Sequence, residues 1–140
     1  MAKKTIQFIA TKMKDLDICM MSTSGARGAV NTRPMSNNRD VKKYDGTSYF
    51  FSDMKTQKIK DLTRTPAVTL SFTGKKGIFI IVTGKGKIIK DKATMQEHWV
   101  KSLDMWFEDG IDTKGLCMIA VKASNIHYWE NADEGDITVR

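Results

Sequence analysis

Cysteine, proline and histidine are scarce in this sequence, and each scarcity excludes a class of protein. The 140 residues include only two of each. Cys19 and Cys117 lie far apart, each inside an apolar run and without metal-ligand spacing, so we expect two reduced, buried thiols and no metal site. With ten glycines and two prolines, the chain is neither collagen-like nor proline-rich.

Long apolar runs are absent as well. Runs such as Ile78 to Val82 are far too short to span a bilayer. The first residues lack the apolar stretch of a signal peptide, so we expect a cytoplasmic protein. The length and the 41% hydrophobic and 28% charged content are typical of one globular domain, here residues 1–140.

The net charge of +7 is concentrated in the first half of the chain. Residues 1–70 carry 13 Lys and Arg against 6 Asp and Glu, whereas residues 71–140 carry 10 of each. A basic surface attracts nucleic acid or a phosphorylated small molecule. A solvated lysine-rich face that keeps the protein soluble explains the same charge.

The spacing of apolar residues predicts strands with a few helices. Helical spacing occurs over 5–15, over 56–64, and over a segment that Asp91 caps and that runs to Leu103. Strand patterns predict six strands, with a bulge near Gly84 and Gly86 in the fifth: 18–23, 29–35, 48–52, 67–73, 78–90 and 116–123. Residues 126–129 are expected to form a short extended end, with His127 a hydrogen-bonded structural histidine. The polar residues from Asn131 onward are expected to be mobile.

Six strands joined by tight turns, with helices that interrupt rather than alternate, do not form a doubly wound parallel sheet. They predict a mainly β (α+β) fold, a small antiparallel barrel.

Two segments between residues 32 and 58 contain candidate ligand-binding residues. Thr32-Arg33-Pro34-Met35 places a guanidinium beside a proline that cannot donate to a sheet, which is typical of an edge strand where a ligand can approach. Ser52 follows a strand, and a helix is predicted to begin at Thr56 with Lys58 in its first turn. The unpaired N–H groups of a helix start suit a phosphate, although Thr56 can also cap the helix and Lys58 can be a solvated lysine.

At these residues the sequence resembles the pyridoxamine 5′-phosphate oxidase-related FMN-binding split barrels, and within them the general stress protein subgroup. The resemblance extends from the N-terminal helix to Tyr128-Trp129. Its motifs are short, and their order and spacing carry it: Thr32 to Met35, Tyr49 to Ser52, Thr56 to Ile59, Pro66 to Val68, Gly84 to Ile88, Asp91 to Ala93, Trp99 and Trp106-Phe107.

This resemblance implies a six-stranded antiparallel split β-barrel of Greek-key type with flanking helices, forming a homodimer with FMN at the subunit interface. Arg33, Pro34 and Met35, with the adjoining Thr32, would line the flavin. Ser52, Thr56 and Lys58 would contact its phosphate, Phe51 would contribute a backbone contact, and Trp106 of the partner chain would cover the flavin. The candidates for the apolar dimer surface are Met20, Met21, Trp106 and Phe107, and some of the four are expected to be core residues instead.

Two departures from the family pattern argue against oxidation of pyridoxamine 5′-phosphate itself. Gln57 stands where the oxidases carry a second phosphate-binding arginine, and the chain ends in an acidic segment where they have a basic, histidine-containing one. The resemblance therefore predicts either a flavin-dependent oxidoreductase for another small molecule or a stress-related flavin binder. The alternative is a small basic barrel that binds nucleic acid, with Tyr44, Tyr49, Phe50 or Phe51 available for stacking.

Overall fold

A computed structural model describes residues 4–36 and 44–139. Its seven strands are all antiparallel to their neighbours. They are named in chain order, β1 to β7: Ile18–Ser24, Val30–Ser36, Thr47–Asp53, Ala67–Thr73, Ile78–Ile89, Leu116–Glu130 and Asp133–Thr138. The helices α1 to α3 are Ile6–Met13, Gln57–Arg64 and Lys92–Glu97, and three 3₁₀ turns cover Ala26–Gly28, Lys101–Met105 and Gly110–Asp112.

The strands form one curled sheet in the order β2-β1-β4-β5-β6-β3, and β7 pairs with the second half of β6. This architecture confirms the predicted split-barrel, α+β fold. The predicted irregularity is present, since the pairing register shifts between Thr83 and Gly84 of β5, and the extra residue is Ser124 on β6. A Cβ at Gly84 would lie 2.1 Å from the carbonyl oxygen of Lys122, so only glycine fits where the two strands approach.

Two apolar clusters hold the fold together. The larger fills the inside of the curled sheet, beneath α1 and α2, and contains the fully buried Phe50, Leu70 and Ile80. The smaller lies on the other side of β3 and β6, where Phe51, Met118 and Leu116 pack against Met95 and Leu103. Since side chains alternate along a strand, Phe50 and Phe51 belong to different clusters, and both are buried.

The third predicted helix is wrong in length. Asp91 caps it as expected, accepting a hydrogen bond from the Thr94 N–H at 2.9 Å. However, α3 ends at Glu97, and residues 101–105 form a separate 3₁₀ turn. The helix ends because His98 leaves the helical region (φ −107°, ψ 3°). Val100 is then extended (φ −119°, ψ 151°) and redirects the chain so that Leu103 reaches the smaller cluster.

The C-terminal expectation is also wrong. Strand β6 continues without a break from Leu116 to Glu130, and the segment after Asn131 forms β7 instead of a mobile tail. Asn131 makes the turn in the left-handed region (φ 56°), which asparagine tolerates. The strand was missed because its only buried residue is Ile137 and its other contacts are polar.

Those polar contacts centre on His127. They confirm the prediction that His127 is a hydrogen-bonded structural histidine. Its Nδ1 lies 2.7 Å from a carboxylate oxygen of Asp136, and its Nε2 lies 2.6 Å from one of Glu134. Asn125 donates to Asp136 from the same strand as His127. The imidazole therefore clamps β7 onto β6, and its two carboxylate partners raise the pKa of His127.

Candidate functional site

The start of α2 lacks the side-chain cap that many helices carry. Thr56 occupies the N-cap position in an extended conformation, but its hydroxyl donates backward to the carbonyl oxygen of Asp53 at 2.8 Å. No acidic residue lies in the first turn. Thr56 therefore does not cap α2 with its side chain. No side-chain hydrogen bond to the first N–H groups offsets the partial positive charge of this helix end.

Lys58 points from the first turn of α2 back to the end of β3. Its Nζ donates a hydrogen bond to the Ser52 Oγ at 3.0 Å, and that oxygen lies 3.5 Å from the Thr56 Oγ1. Ser52 is buried and Lys58 is half-buried. The structure therefore brings together the three predicted phosphate contacts, two hydroxyls and one ammonium, at a helix N-terminus.

The charge of Lys58 is not neutralised by a close carboxylate within the described ranges, 4–36 and 44–139. Burial lowers the pKa of Lys58, and the nearby guanidinium of Arg33 lowers it further. The charge of Asp53, and that of Cys117 once its thiol is deprotonated, act in the opposite direction. An anion bound in this corner would give the ammonium a negatively charged acceptor in addition to the Ser52 hydroxyl.

Arg33 approaches the same corner from β2. Its Nη1 donates to the carbonyl oxygen of Met21 at 3.2 Å and to the Thr23 Oγ1 at 2.8 Å. Its Nη2 lies 3.8 Å from a carboxylate oxygen of Asp61, which is fully buried on α2. Burial lowers the pKa of Arg33, and the charge of Asp61 opposes that effect.

Asp61 is the centre of a network that the sequence did not reveal. Its Oδ2 accepts from the Thr23 Oγ1 at 2.7 Å and from the Asn31 Nδ2 at 2.8 Å, and its Oδ1 accepts from the Gln57 Nε2 at 3.0 Å. Burial alone would raise the pKa of Asp61, but these hydrogen bonds and the charge of Arg33 outweigh it and lower the pKa to about 2. Asp61 is therefore an ionised carboxylate inside the fold.

The predicted residues of β2 do not share one side of the sheet. Met35 is buried with the core, and Arg33 points to that same inner side. Thr32 and Pro34 are exposed on the outer side, where the Thr32 hydroxyl lies 2.9 Å from that of Ser22. The strand alternation thus places Arg33 and Met35 on one face and Thr32 and Pro34 on the other.

The remaining predicted residues lie apart from the cluster of Ser52, Thr56 and Lys58 or point away from it. The Gln57 side chain turns toward Asp61. The ring of Phe51 is buried in the smaller cluster, edge-on to Trp99 at 5.0 Å, so only its backbone can face a ligand. Trp106 follows the 3₁₀ turn of residues 101–105 and is 70% exposed, so its indole makes few contacts within its own chain.

The local sequence contains no signal for the burial of Asp61. It lies between Ile59 and Leu62, the apolar residues that bury α2, but a carboxylate beside such a stripe usually faces solvent. Its partners could not be inferred, because Thr23 and Asn31 come from strands 38 and 30 residues earlier in the chain.

Two kinds of feature are absent from the described parts of the chain. Across residues 4–36 and 44–139, no group of three or more His, Cys, Asp or Glu side chains is arranged to hold a metal ion. Within the same ranges, no helix is long and apolar enough to cross a membrane.

Comparison with known proteins identifies the family. The model of the family described as pyridoxamine 5′-phosphate oxidase like matches residues 4–139. The chain belongs to this family. No curated protein sequence matches it significantly.

Solved structures share the fold at low sequence identity. A Clostridium acetobutylicum protein, described as related to general stress protein 26 and of the pyridoxinephosphate oxidase family, is 19% identical with a TM-score of 0.80, covering 92% of this chain and 90% of its own. General stress protein 26 from Bacillus anthracis is 20% identical with a TM-score of 0.75, covering 91% of this chain and 93% of its own.

A third solved structure shares the fold at still lower identity. It is a pyridoxamine 5′-phosphate oxidase-related, FMN-binding protein from Nostoc punctiforme, 8% identical with a TM-score of 0.66. The match covers 89% of this chain and 87% of that protein.

Proposed function

We propose that this protein binds FMN, and that Ser52, Thr56 and Lys58 hold the phosphate at the start of α2. The observation that carries the proposal is the 3.0 Å hydrogen bond from Lys58 to the buried Ser52 hydroxyl, beside a helix start with no side-chain cap. A phosphate bound there would accept hydrogen bonds from the Ser52 hydroxyl, the ammonium and the first N–H groups of the helix. The Thr56 hydroxyl would join them by turning from the Asp53 carbonyl to the phosphate.

The corner suits a single phosphate better than a pyrophosphate. It offers two hydroxyls and one ammonium, and the sequence contains no GxGxxG fingerprint. Gln57, whose side chain is engaged by Asp61, would contribute through its backbone. FMN, when bound, supplies the redox chemistry, and the chain binds it, orients it and controls access to it.

The other predicted contacts are proposed to bind the rest of the flavin beyond its phosphate. In the proposal, Arg33 and Met35 approach the flavin from the inner side of β2. Thr32 and Pro34 meet it at the exposed edge, and Phe51 contributes its backbone.

We extend the proposal to a homodimer with FMN at the subunit interface. The outer side of the sheet, opposite the main core, supports it because large apolar side chains are exposed there. Phe79 and Trp129 lie directly opposite each other on β5 and β6, at 45% and 36% exposure. Met20 lies opposite Pro34 on β1 and β2 and is 41% exposed.

The four residues expected at the dimer surface differ in their solvent exposure. Met20 and Trp106 are exposed, and Phe107 is half-buried against the smaller cluster. Met21 is fully buried in the main core, so among the four candidates it is a core residue and not part of a dimer surface. Trp106, the most exposed aromatic of these, is the residue proposed to cover the flavin of the partner subunit.

The same proposal treats residues 1–140 as one FMN-binding domain in the reducing cytoplasm. The location agrees with two cysteines, Cys19 and Cys117, that are free and buried instead of joined in a disulfide. Burial raises their pKa values to about 12 and about 11, so both thiols are protonated and unreactive. The protein is then a flavin-dependent oxidoreductase for a small molecule or a stress-related flavin carrier. Oxidation of NADH or NADPH by the loaded protein faster than by free FMN supports the enzyme, and an unchanged rate supports the carrier.

The nucleic-acid alternative loses its support in this fold. It requires aromatic rings on a basic surface, but Phe50 and Phe51 are buried and Tyr44 and Tyr49 are half-buried. No observation in the described residues favours it over FMN.

The cofactor content of the purified protein tests the proposal. We expect a yellow protein with flavin absorption, from which heat releases FMN rather than FAD or riboflavin on chromatography. Protein that is colourless and does not take up added FMN, or that releases mainly FAD, would contradict it.

A further inference from the structure

Thr23 carries a buried hydroxyl on β1 that joins two opposite charges. The residue is only 2% exposed. Its Oγ1 donates a hydrogen bond to the Asp61 Oδ2 at 2.7 Å and accepts one from the Arg33 Nη1 at 2.8 Å. The carbonyl oxygen of Asn31 is a more distant contact, at 3.5 Å. The hydroxyl therefore links an ionised carboxylate on α2 to a guanidinium on β2.

The charges of the two partners fix the direction of both hydrogen bonds. A hydroxyl has a single proton to donate and lone pairs with which to accept. An ionised carboxylate can only accept and a guanidinium can only donate, so the proton points to Asp61 and a lone pair faces Arg33. Hydrogen bonds with an ionised partner are stronger than neutral ones. Asp61 therefore holds the Thr23 hydroxyl in the rotation that receives Arg33.

Arg33 depends on such an anchor because it lies on an end strand. Among the described strands, β2 pairs with β1 alone. Met21, directly opposite Arg33, accepts from Nη1 through its carbonyl oxygen at 3.2 Å. The Asp61 carboxylate lies 3.8 Å from Nη2, which is an ion pair but too long for a hydrogen bond. The Thr23 oxygen is thus the closest of the three contacts that hold the guanidinium.

This hold leaves part of the guanidinium for a ligand. Both hydrogen bonds use Nη1. The Arg33 Nε donates to no acceptor within residues 4–36 and 44–139, and in those ranges Nη2 has only the ion pair with Asp61. The side chain is 20% exposed. A ligand with an anionic or carbonyl oxygen therefore finds N–H donors that the protein does not use.

We propose that Thr23 is a positioning residue: its hydroxyl, oriented by Asp61, holds the Arg33 guanidinium on the inner side of β2 and leaves these donors for a ligand. That the ligand is FMN rests on the proposed function. The link from Asp61 through Thr23 to Arg33 does not require it. A hydroxyl that only ties β1 to α2 would change stability when removed and leave the Arg33 side chain as it is.

NMR of the arginine side chains tests the link without any ligand. The full-length, flavin-free protein carries ¹⁵N-labelled arginine, and the Arg33 signals are assigned from their loss in Arg33→Lys. A guanidinium held at Nη1 rotates slowly about its Nε–Cζ bond, so wild type should show separate Nη signals for Arg33. Thr23→Val keeps the shape of the side chain but removes the hydroxyl, and it should merge these signals. Thr23→Ser keeps the hydroxyl and should leave them separate.

A matched control makes the same change away from Arg33. Thr69 on β4 lies directly opposite Ser22, whose side chain is on the outer side of the sheet, so Thr69→Val should leave the Arg33 signals unchanged. Separate Nη signals that persist in Thr23→Val would overturn the proposal. A single averaged Nη signal for Arg33 in wild type would overturn it as well. This second outcome needs no variant, so the test holds even if Thr23→Val does not fold.

The flavin part is tested by the affinities for FMN and riboflavin. Arg33 is proposed to contact the flavin away from its phosphate, so Thr23→Val should weaken binding of both ligands alike. The loss should be about three- to tenfold, as expected for one net hydrogen bond. Thr23→Ser should bind both ligands as wild type does. In an Arg33→Gln background, Thr23→Val should cause no further loss, because the hydroxyl acts through Arg33.

Two results would overturn the flavin part. One is unchanged affinity for both flavins in Thr23→Val, and the other is losses that multiply in the double variant with Arg33→Gln. Wild-type protein that binds neither flavin would instead refute the proposed function, and the NMR measurement would still decide whether Thr23 positions Arg33.

Discussion

The Lys58 ammonium donates a hydrogen bond to the Ser52 hydroxyl at 3.0 Å, joining the first turn of α2 to the end of β3. Six residues separate them in the sequence, and the tight turn at Asp53 brings them together. In this turn the Asp53 carboxylate accepts from the Lys55 N–H at 2.8 Å, and the Asp53 carbonyl accepts from the Thr56 N–H at 3.2 Å. A local turn thus assembles the three side chains of the proposed phosphate site.

Ser52→Ala should weaken FMN binding by about three- to tenfold, because it removes one hydroxyl from the phosphate site and a net hydrogen bond contributes about 0.5–1.5 kcal/mol. Riboflavin, which lacks the phosphate, should bind as in wild type. The matched control is Ser48→Ala, which also removes a buried hydroxyl from β3. Fluorescence titration measures both affinities, and equal losses in the two variants would remove Ser52 from the site.

Trp106→Ala should weaken binding of FMN and of riboflavin to the same extent, since the proposed cover contacts the ring that both ligands share. The thermal midpoint of the flavin-free protein should change little, because the indole is 70% exposed. Met105→Ala, at an 85% exposed neighbouring position, is the control. Unchanged affinity for both flavins in Trp106→Ala would assign this tryptophan another role.

Phe79→Ser should convert the homodimer to a monomer or raise its dissociation constant, because it removes a large apolar group from the outer side of the sheet. Thr73→Ser, directly opposite Phe79 on β4, is a polar control that should leave the dimer intact. Light scattering at micromolar concentration reads both. A wild-type protein that is already monomeric there would refute the shared-interface model.

The His127 clamp should make β7 less stable at high pH. Hydrogen bonds from His127 to Asp136 and Glu134 raise the pKa of His127 in the folded protein above its unfolded value. The stabilisation is therefore fully present below the unfolded pKa, about 6.5, and is lost as pH rises through the higher folded pKa. Hydrogen exchange of β7 amides, corrected for intrinsic rates, should show less protection at pH 9 than at pH 6.

A His127→Gln variant provides the control for this pH dependence. Glutamine keeps a hydrogen-bonding side chain but cannot take up a proton, so the drop in β7 protection between the two pH values should disappear. A drop of equal size in the variant would show that another group causes it.

Much of the fold follows from local patterns in the sequence. Alternation of Val68, Leu70 and Phe72 predicts β4 over the residues where it occurs, and α1 lies within its predicted range. These predictions are correct because an element that buries one face repeats its apolar residues at the spacing of a strand or a helix. The end of α3 and the existence of β7 could not be predicted in this way, since they depend on the backbone conformations of His98 and Val100 and on the carboxylates that meet His127.

The candidate site was predictable only where it is local. The helix start at Thr56 and the position of Lys58 were visible from the strand, turn and helix signals around them, and the structure brings Ser52, Thr56 and Lys58 together. The Asp61 network was not visible, because its partners come from β1 and β2, far earlier in the chain.

The affinities of wild type and Lys58→Ala for FMN and for riboflavin test the central claim most directly. The charge-assisted contact of Lys58 contributes about 1.5–3 kcal/mol, so its loss should weaken FMN binding by roughly ten- to a hundredfold and leave riboflavin binding nearly unchanged. Lys60→Ala, at an exposed position two residues along the same helix, should bind both ligands as wild type does. Equal FMN affinity in wild type and Lys58→Ala would contradict the account and place the phosphate elsewhere.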